Sequence, residues 1–366
     1  MSKLTYNNRD NVFFQSLKIS VEKYFTENQI KKTGNWKLYS KTFILLISAI
    51  CLYLSLLFVR MPAVLGILVS SLFGFVLAIV GFNVMHDACH GSYSTKKWVN
   101  ELLGYSLNAL GGNAFLWKLK HNILHHTYTN VDGLDDDIGK SPLMRQCTSQ
   151  KWVPAHRFQH IYVVGVYAIS SLAWIFLMDF DKYFKQKIYT TPLQKMSTKE
   201  HVIFWVTKIL YILFYMIIPI MLLGWKSWAI GFAFLHIFMG LTLAIVFQLA
   251  HVVEDTEFEF AGLEDRVVES AWAVHEVKST ADFASGNKLI TWLVGGLNYQ
   301  VEHHLFPRIS HVHYPAISKI VSQKCEEFNI PYHTFPTMRA AVVSHFKLIK
   351  QLGAAPDGIN NMSPTM

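Results

Sequence analysis

Long apolar stretches that are almost free of charge alternate with polar segments along this chain of 366 residues. A helix that crosses a membrane needs about 20 consecutive, mostly apolar residues. Four stretches approach this length, near 42–59, 63–85, 205–225 and 227–250. Arg60-Met61-Pro62 interrupts the first pair and Lys226 interrupts the second, so the pattern predicts two helical hairpins. We therefore expect an all-α integral membrane protein with about four transmembrane helices.

The composition favours the same location. Hydrophobic residues make up 52% of the chain and charged residues only 16%, whereas soluble proteins average about 25% charged residues. The net charge is +8, yet there is no block of lysine and arginine of the kind that binds nucleic acid. Eight lysines and arginines precede residue 42, which is the bias expected of a cytoplasmic N-terminal segment. A basic face also attracts anionic lipid head groups or acyl carriers.

Histidines are concentrated in three short blocks beside the apolar stretches. Residues three or four apart in a helix share one face, so each block presents two or three side chains together. The blocks are His86-Asp-Ala-Cys-His90, His121-Asn-Ile-Leu-His125-His126 and Gln300-Val-Glu-His303-His304. His251 ends the last apolar stretch at a corresponding depth. Because ionisable residues at membrane depth are costly and usually functional, we include His251 as the eighth candidate metal ligand.

Eight imidazoles are enough to hold two metal ions. A structural zinc site needs four ligands and commonly uses cysteine, but none of the four cysteines forms a CxxC pair. Carboxylate-bridged di-iron bundles use Glu-x-x-His motifs, which this sequence lacks. Many neutral imidazoles beside a bilayer favour a di-iron centre that activates dioxygen, and the ligand count leaves copper open.

A shared metal centre constrains the topology. Phe158–Met178 is a fifth apolar stretch of spanning length. If it crossed the membrane, the third histidine block would emerge on the opposite side from the first two. We therefore expect this stretch to lie along or partly in the membrane surface. Both termini and a helical cap that holds the histidines would then face the cytoplasm.

The histidine blocks and the segment Asn298-Tyr-Gln-Val-Glu-His-His-Leu-Phe-Pro307 resemble those of the membrane-bound fatty acid desaturases, and the opening Gln300 is similar to the front-end and related bacterial acyl-lipid or acyl-CoA branch. The resemblance implies a desaturase domain at 42–345, between an N-terminal segment at 1–41 and a polar tail at 346–366. It implies two non-haem iron ions on the eight matching histidines, listed here: His86, His90, His121, His125, His126, His251, His303 and His304. In many members a histidine occupies the position of Gln300. Three roles are therefore open for Gln300: a metal ligand, a ligand that binds through water, or a hydrogen-bond donor.

The resemblance also implies the reaction and its partners. An O2-dependent desaturase would introduce a cis double bond into an acyl-CoA or a lipid-linked acyl chain in the bilayer. The His-Pro-Gly-Gly haem motif of fused cytochrome b5 domains is missing. We therefore expect a separate electron donor, either a ferredoxin or a cytochrome b5 with its reductase.

Acidic residues near the blocks are candidates for orienting the imidazoles. Asp87 and Glu302 can accept the second N–H of a ligating histidine, which is a common way to fix its tautomer. The run Asp135-Asp136-Asp137 has the same potential, although it also fits a solvated loop. Histidines without block spacing, such as His311, are expected to have surface or packing roles, and His275 is the most notable of them.

Two other functions are compatible with parts of the pattern. A histidine-box hydroxylase, ketolase or alkane monooxygenase would keep the metal centre but add oxygen to the product. A metal or lipid transporter would place polar residues deep in several spans, and the first two spans contain essentially none. The transporter is therefore disfavoured.

Overall fold

The computed structural model describes residues 4–8, 11–139, 142–261 and 266–355, and most of them are helical. The helices are α1 (Val12–Glu27), α2 (Trp36–Phe58), α3 (Ala63–His90), α4 (Lys97–Gly104), α5 (Ser106–Ala109), α6 (Ala114–Lys118), α7 (Asp136–Gly139), α8 (Pro154–Lys185), α9 (Thr198–Leu223), α10 (Trp225–His251), α11 (Trp272–Lys278), α12 (Lys288–Leu293), α13 (Gln300–Leu305), α14 (Tyr314–Glu327) and α15 (Met338–Gly353). Eight short strands are β1 (Leu4–Tyr6), β2 (Val131–Asp132), β3 (Lys187–Ile188), β4 (Thr191–Pro192), β5 (Glu259–Phe260), β6 (Arg266–Val268), β7 (Asp282–Phe283) and β8 (Thr334–Phe335). They form four two-stranded ladders, β1–β6, β2–β5 and β7–β8 parallel and β3–β4 antiparallel.

Among the described residues, five helices are long and apolar enough to cross a membrane: α2, α3, α8, α9 and α10. The four predicted spans lie in α2, α3, α9 and α10. Helix α2 begins at Trp36, earlier than predicted, because the Asn35 side chain accepts a hydrogen bond from Lys37 N and caps the helix. Phe158–Met178 lies inside α8, which is a fifth candidate by length and composition. The count of four spans remains a prediction.

The hairpin turns are where the sequence predicts them. Val59 has extended backbone angles and ends α2, and Pro62 immediately precedes α3. Gly224 separates α9 from α10 with a φ of 78°, a conformation that glycine adopts without steric cost. Both pairs are therefore tight antiparallel hairpins.

Helix α10 is the central helix, and small residues bring it close to its neighbours. Gly74 of α3 packs so closely on the Leu235 backbone of α10 that no Cβ atom would fit. A Cβ on Gly240 of α10 would lie 2.6 Å from the Tyr167 carbonyl oxygen of α8. Small residues that permit close backbone approach are typical of helix contacts in membranes.

The shorter helices pack around the C-terminal ends of α3 and α10. Phe13, Leu17 and Val21 of α1 form one hydrophobic core with residues of α11, α13 and α14, including Val277 and Ile317. The chain beyond residue 345 differs from the predicted polar tail, because α15 continues to Gly353 and buries Ile349. Residues 356–366 lie outside the described part of the chain.

Candidate metal centre

All eight predicted histidines lie together in the interior, where α3, α10, α13 and the π-helical segment Leu119–His125 after α6 converge. His90, the most exposed of them, is only 9% exposed. Four of them form the first histidine group: His86, His90, His121 and His303. Three form the second histidine group: His125, His251 and His304. In each group, one nitrogen from every ring lies within 4.8 Å of the others.

His126 lies between the two groups. One of its nitrogens is within 4.8 Å of nitrogens of both His303 and His304, which belong to different groups. Its ring centroid is 4.5 Å from that of His303 and 4.4 Å from that of His304. The two groups therefore form one continuous cluster rather than two separate sites.

Widened helical turns position the first two blocks. Residues Gly81–Met85 form a π-helical turn immediately before His86, and Leu119–His125 form another around His121. In the second turn, His126 N donates a hydrogen bond of 3.1 Å to His121 O, five residues earlier. This wider turn brings His121, His125 and His126 to one side, and π-helical turns are frequent at functional sites.

The third block lies on a helix that is only six residues long. Val301 N at the start of α13 donates to Asp282 Oδ1 at 3.1 Å. His303 and His304 are adjacent on this helix and point into different groups. His251 reaches the second group from the last turn of α10, with its ring centroid 4.7 Å from that of His125 and 4.9 Å from that of His304.

Hydrogen bonds hold the outer nitrogens of three of the histidines. His304 Nδ1 lies 2.7 Å from Glu276 Oε2, and His125 Nδ1 lies 3.0 Å from Asp135 Oδ2. His303 Nδ1 lies 3.1 Å from the Tyr314 hydroxyl. The opposite nitrogen, Nε2, of each of these rings is buried and has no hydrogen-bond partner in the described part of the chain. Nitrogens in this state fit metal ligands, because a ligating histidine usually donates its other N–H to an acceptor.

Burial favours the neutral form of four histidines in the cluster. Burial, followed by the neighbouring histidines, lowers the pKa of His121, His126, His303 and His304 well below its ordinary value. Neutral imidazole is the form that binds metal ions. The donor set therefore fits a metal site for transition-metal ions that accept nitrogen ligands.

The two acidic residues predicted to orient ligands lie elsewhere. Asp87 Oδ1 lies 3.0 Å from His311 Nδ1, and Asp87 Oδ2 accepts a hydrogen bond of 2.6 Å from Ser310 Oγ. Glu302 Oε1 accepts a hydrogen bond of 3.1 Å from the Tyr332 hydroxyl. Within the described residues, these partners replace the ligating imidazoles that the sequence suggested.

We expect a surface or packing role for His311, and the structure places it in a buried polar network. It is buried, and its Nε2 atom lies 3.1 Å from Lys41 Nζ. Lys41 also donates to the Trp292 carbonyl oxygen at 3.2 Å. His311 and Asp87 thus connect the first block to a buried polar network at the base of α2.

Gln300 is buried at the start of α13, and its Oε1 atom has no hydrogen-bond partner among the described residues. An unpartnered buried oxygen costs free energy unless a further group binds to it. This observation keeps Gln300 in the candidate site without choosing among its three predicted roles.

The sequence missed the acceptors Glu276 and Tyr314. The available signal was His275, which precedes Glu276 in the sequence. The His275 Nε2 atom lies 2.7 Å from the Thr129 carbonyl oxygen. Thr129 Oγ1 in turn donates to Glu276 Oε2 at 2.7 Å. The segment around His275 is therefore attached to the second block and supports the cluster from the outside.

Comparison with known proteins agrees with the geometry. The family model for fatty acid desaturase matches residues 24–336. The sn-1 linoleoyl-lipid 6-desaturase of Arthrospira platensis is 34% identical over 358 residues, 97% of this chain and 96% of that protein. The acyl-lipid (8-3)-desaturase of Physcomitrium patens is 36% identical over 349 residues, 93% of this chain and 72% of that protein. The chain therefore belongs to the fatty acid desaturase family and is a desaturase enzyme.

Proposed function

We propose that this enzyme introduces a cis double bond into an acyl chain of a membrane lipid at a centre of two non-haem iron ions. The buried cluster of eight histidines, with unpartnered nitrogens facing one another, is the observation that carries the proposal. Each turnover would remove two hydrogen atoms from adjacent methylene groups and reduce O2 to two water molecules, with two electrons and two protons from a donor. The bound irons would supply the oxidant.

In this reaction the protein would hold the two ions, orient their ligands and exclude water. The first histidine group would hold one ion and the second histidine group the other, and His126, which lies between the groups, would supply a further ligand. Asp135, Glu276 and Tyr314 would fix the tautomers of the ligands they contact, so that Nε2 faces the ion. Burial of the whole cluster excludes water, which limits side reactions of the oxidant.

Two aromatic side chains next to the cluster offer an apolar surface for the acyl chain. The Trp117 ring stacks on His121 with centroids 4.3 Å apart. The Phe247 ring lies 5.2 Å from His125 and 4.8 Å from His251. An acyl chain that passes these rings would place its methylene groups beside both histidine groups.

The relatives favour a lipid-linked substrate over an acyl-CoA. These relatives are a linoleoyl-lipid 6-desaturase and acyl-lipid desaturases. Linoleoyl lipid is therefore the first substrate to test. Electrons would come from a separate ferredoxin or cytochrome b5.

We further infer that α8 lies along the cap and does not cross the membrane. Near its start, Gln159 Nε2 donates to the Arg145 carbonyl oxygen at 3.0 Å, and near its end Lys182 Nζ lies 3.0 Å from Asp136 Oδ2. Asp136 and Arg145 are nine residues apart in the segment that follows the second histidine block. Because both ends of α8 are attached to this one segment, they are proposed to lie on the same side of the membrane as the active site, the side that we propose to be cytoplasmic.

Cysteine labelling tests this topology. In a Cys51→Ser background, we expect Gln186→Cys after α8 to react with an impermeant thiol reagent from the same side as Lys23→Cys. Val59→Cys in the first hairpin turn should react from the opposite side. If Gln186→Cys and Val59→Cys react from the same side, α8 crosses the membrane.

Fatty acid analysis of an expressing host tests the reaction. A host that makes linoleate but no further desaturation product should gain a fatty acid lighter by two hydrogens, identified by gas chromatography with mass spectrometry. His303→Ala should abolish this product, whereas His201→Ala should keep it, because His201 contacts Tyr183 away from both groups. A product with an added oxygen would instead indicate a hydroxylase, and undiminished product from His303→Ala would overturn the ligand assignment.

A further inference from the structure

A cavity of about 800 Å³ lies between the two hairpin turns. The turn from Phe58 to Ala63 and the start of α10 form its rim. Helix α3 runs from this rim to His90, and α10 runs from it to His251. The cavity is therefore at the end of the long helices opposite the candidate metal centre.

The depth of the cavity matches one leaflet of a bilayer. Its lining extends along α3 from Ala63 to Phe73 and along α10 from Lys226 to Leu235. Because a helix rises 1.5 Å per residue, ten residues correspond to about 15 Å. A hydrocarbon core is about 30 Å thick, so the cavity reaches to about the middle of the bilayer.

The inner end of the cavity is closed. Gly74 packs directly on the Leu235 backbone at this level, with no space for a Cβ atom between the helices. From Phe73 to His86 the chain continues for a further 13 residues of helix, or about 20 Å. A molecule in the cavity is thus separated from the histidine cluster by packed helix.

Charge at the rim selects the occupant. The lining is mostly apolar, and its two charged residues are Arg60 and Lys226, one from each hairpin turn. Both are exposed. We propose that the cavity binds an anionic phospholipid, with one acyl chain inside and the phosphate between Arg60 and Lys226. This lipid is separate from the substrate, and its site does not depend on the proposed reaction.

The bound lipid would join the two hairpins. Tyr53 of α2 and Tyr215 of α9 face the cavity from opposite hairpins. The Tyr53 hydroxyl donates to the Phe214 carbonyl oxygen at 2.7 Å, which is a direct contact between the hairpins beside the cavity. An acyl chain would fill the remaining space and extend this contact toward the rim.

A glycine in the lining gives a variant that fills the cavity. Gly66 lines it, and a Cβ atom there would have no atom within 4 Å. Gly66→Leu is therefore expected to occupy part of the acyl-chain space, and its Cβ atom meets no neighbour. Gly165→Leu in α8 is the matched control, because Gly165 is equally open but does not line the cavity.

Native mass spectrometry measures the binding. The full chain is reconstituted in vesicles of phosphatidylglycerol and phosphatidylcholine, extracted in detergent and examined for retained lipid. The wild type and Gly165→Leu should retain one phosphatidylglycerol, and Gly66→Leu should retain at least tenfold less. A double variant, Arg60→Gln with Lys226→Gln, should lose the preference for phosphatidylglycerol over phosphatidylcholine.

Three results would overturn the proposal. They are equal retention by the wild type and Gly66→Leu, equal retention of both lipids by the wild type, and displacement of the lipid by inorganic phosphate. Desaturase activity in detergent checks folding, and Gly66→Leu should keep it because the cavity is remote from the histidines. If Gly66→Leu does not fold, the double variant decides the question by itself.

Discussion

The two histidine groups differ in how the protein holds their outer nitrogens. In the second group, two buried carboxylates face the rings of His125 and His304, from Asp135 at 3.0 Å and Glu276 at 2.7 Å. The first group receives a neutral partner, the Tyr314 hydroxyl, at 3.1 Å from His303. Burial alone raises the pKa of the Glu276 carboxyl, but a cation bound to His304 Nε2 would favour its ionised form. A hydrogen bond to a charged acceptor is roughly twice as strong as a neutral one.

This difference indicates that the two proposed ions are not equivalent. Carboxylates raise the basicity of the imidazoles they contact, so an ion in the second group would be held by stronger donors. The first group compensates in number, with four histidines instead of three. The second group should therefore be the more sensitive to a change of charge.

The largest expected effect is the loss of a ligand from the smaller group. His304→Ala removes one of three ligands and leaves the buried Glu276 without its imidazole partner. We expect activity to fall to background and the iron content to fall from two ions per chain toward one, measured by plasma emission spectrometry. His90→Ala, from the four-membered group, should retain more iron than His304→Ala. The reverse order would contradict the assigned strengths of the two groups.

The next largest effect is expected from Glu276→Gln. The amide keeps the shape of the side chain but removes the charge that a cation on His304 Nε2 favours. Loss of such an acceptor typically costs about 10–100-fold in metal affinity or activity. Iron retention against a chelator series measures this loss, and Asp135→Asn should behave alike because Asp135 holds the same group. Wild-type retention by both variants would mean that charge does not distinguish the groups.

Glu276 also shows the limit of prediction from sequence, whereas Asp135 belongs to the acidic run that the sequence offers as a candidate. The eight histidines could be found because helical spacing and the depth of the apolar stretches are local properties of the chain. Glu276 is 28 residues from His304 in sequence, and only the fold brings the two together. Asp87 and Glu302 were chosen because they adjoin ligands, but with 3.6 residues per turn an adjacent side chain points about 100° away.

The same reasoning applies to the fold. The apolar stretches identified the long helices and their hairpin turns, because hydropathy and helix-breaking residues are local properties of the sequence. The π-helical turns at Gly81–Met85 and Leu119–His125 were not predicted. Neither was the continuation of the chain as α15 through Gly353, where burial of Ile349 outweighs the polar composition.

A smaller effect is expected from Tyr314→Phe in the first group. This change removes one neutral hydrogen bond to His303, worth about 1 kcal/mol or roughly a fivefold change in an equilibrium constant. The ring packing remains, because only the hydroxyl is lost. Iron retention should fall about fivefold, clearly less than for Glu276→Gln. An equal or larger loss would mean that the first group depends on its outer hydrogen bond as much as the second.

The smallest effect is expected from Glu302→Gln, the same chemical change as Glu276→Gln at a carboxylate beside two ligands in sequence. Glu302 accepts a hydrogen bond from the Tyr332 hydroxyl, and the amide oxygen of glutamine can accept the same bond. Iron retention and desaturase activity should therefore stay within about twofold of the wild type, since a neutral hydrogen bond is conserved. If Glu302→Gln instead loses as much iron as Glu276→Gln, a buried carboxyl group near the cluster matters regardless of its contact with a ring. The contrast between the two histidine groups would then reflect their total surrounding charge, and the direct partners of His125 and His304 would not explain it.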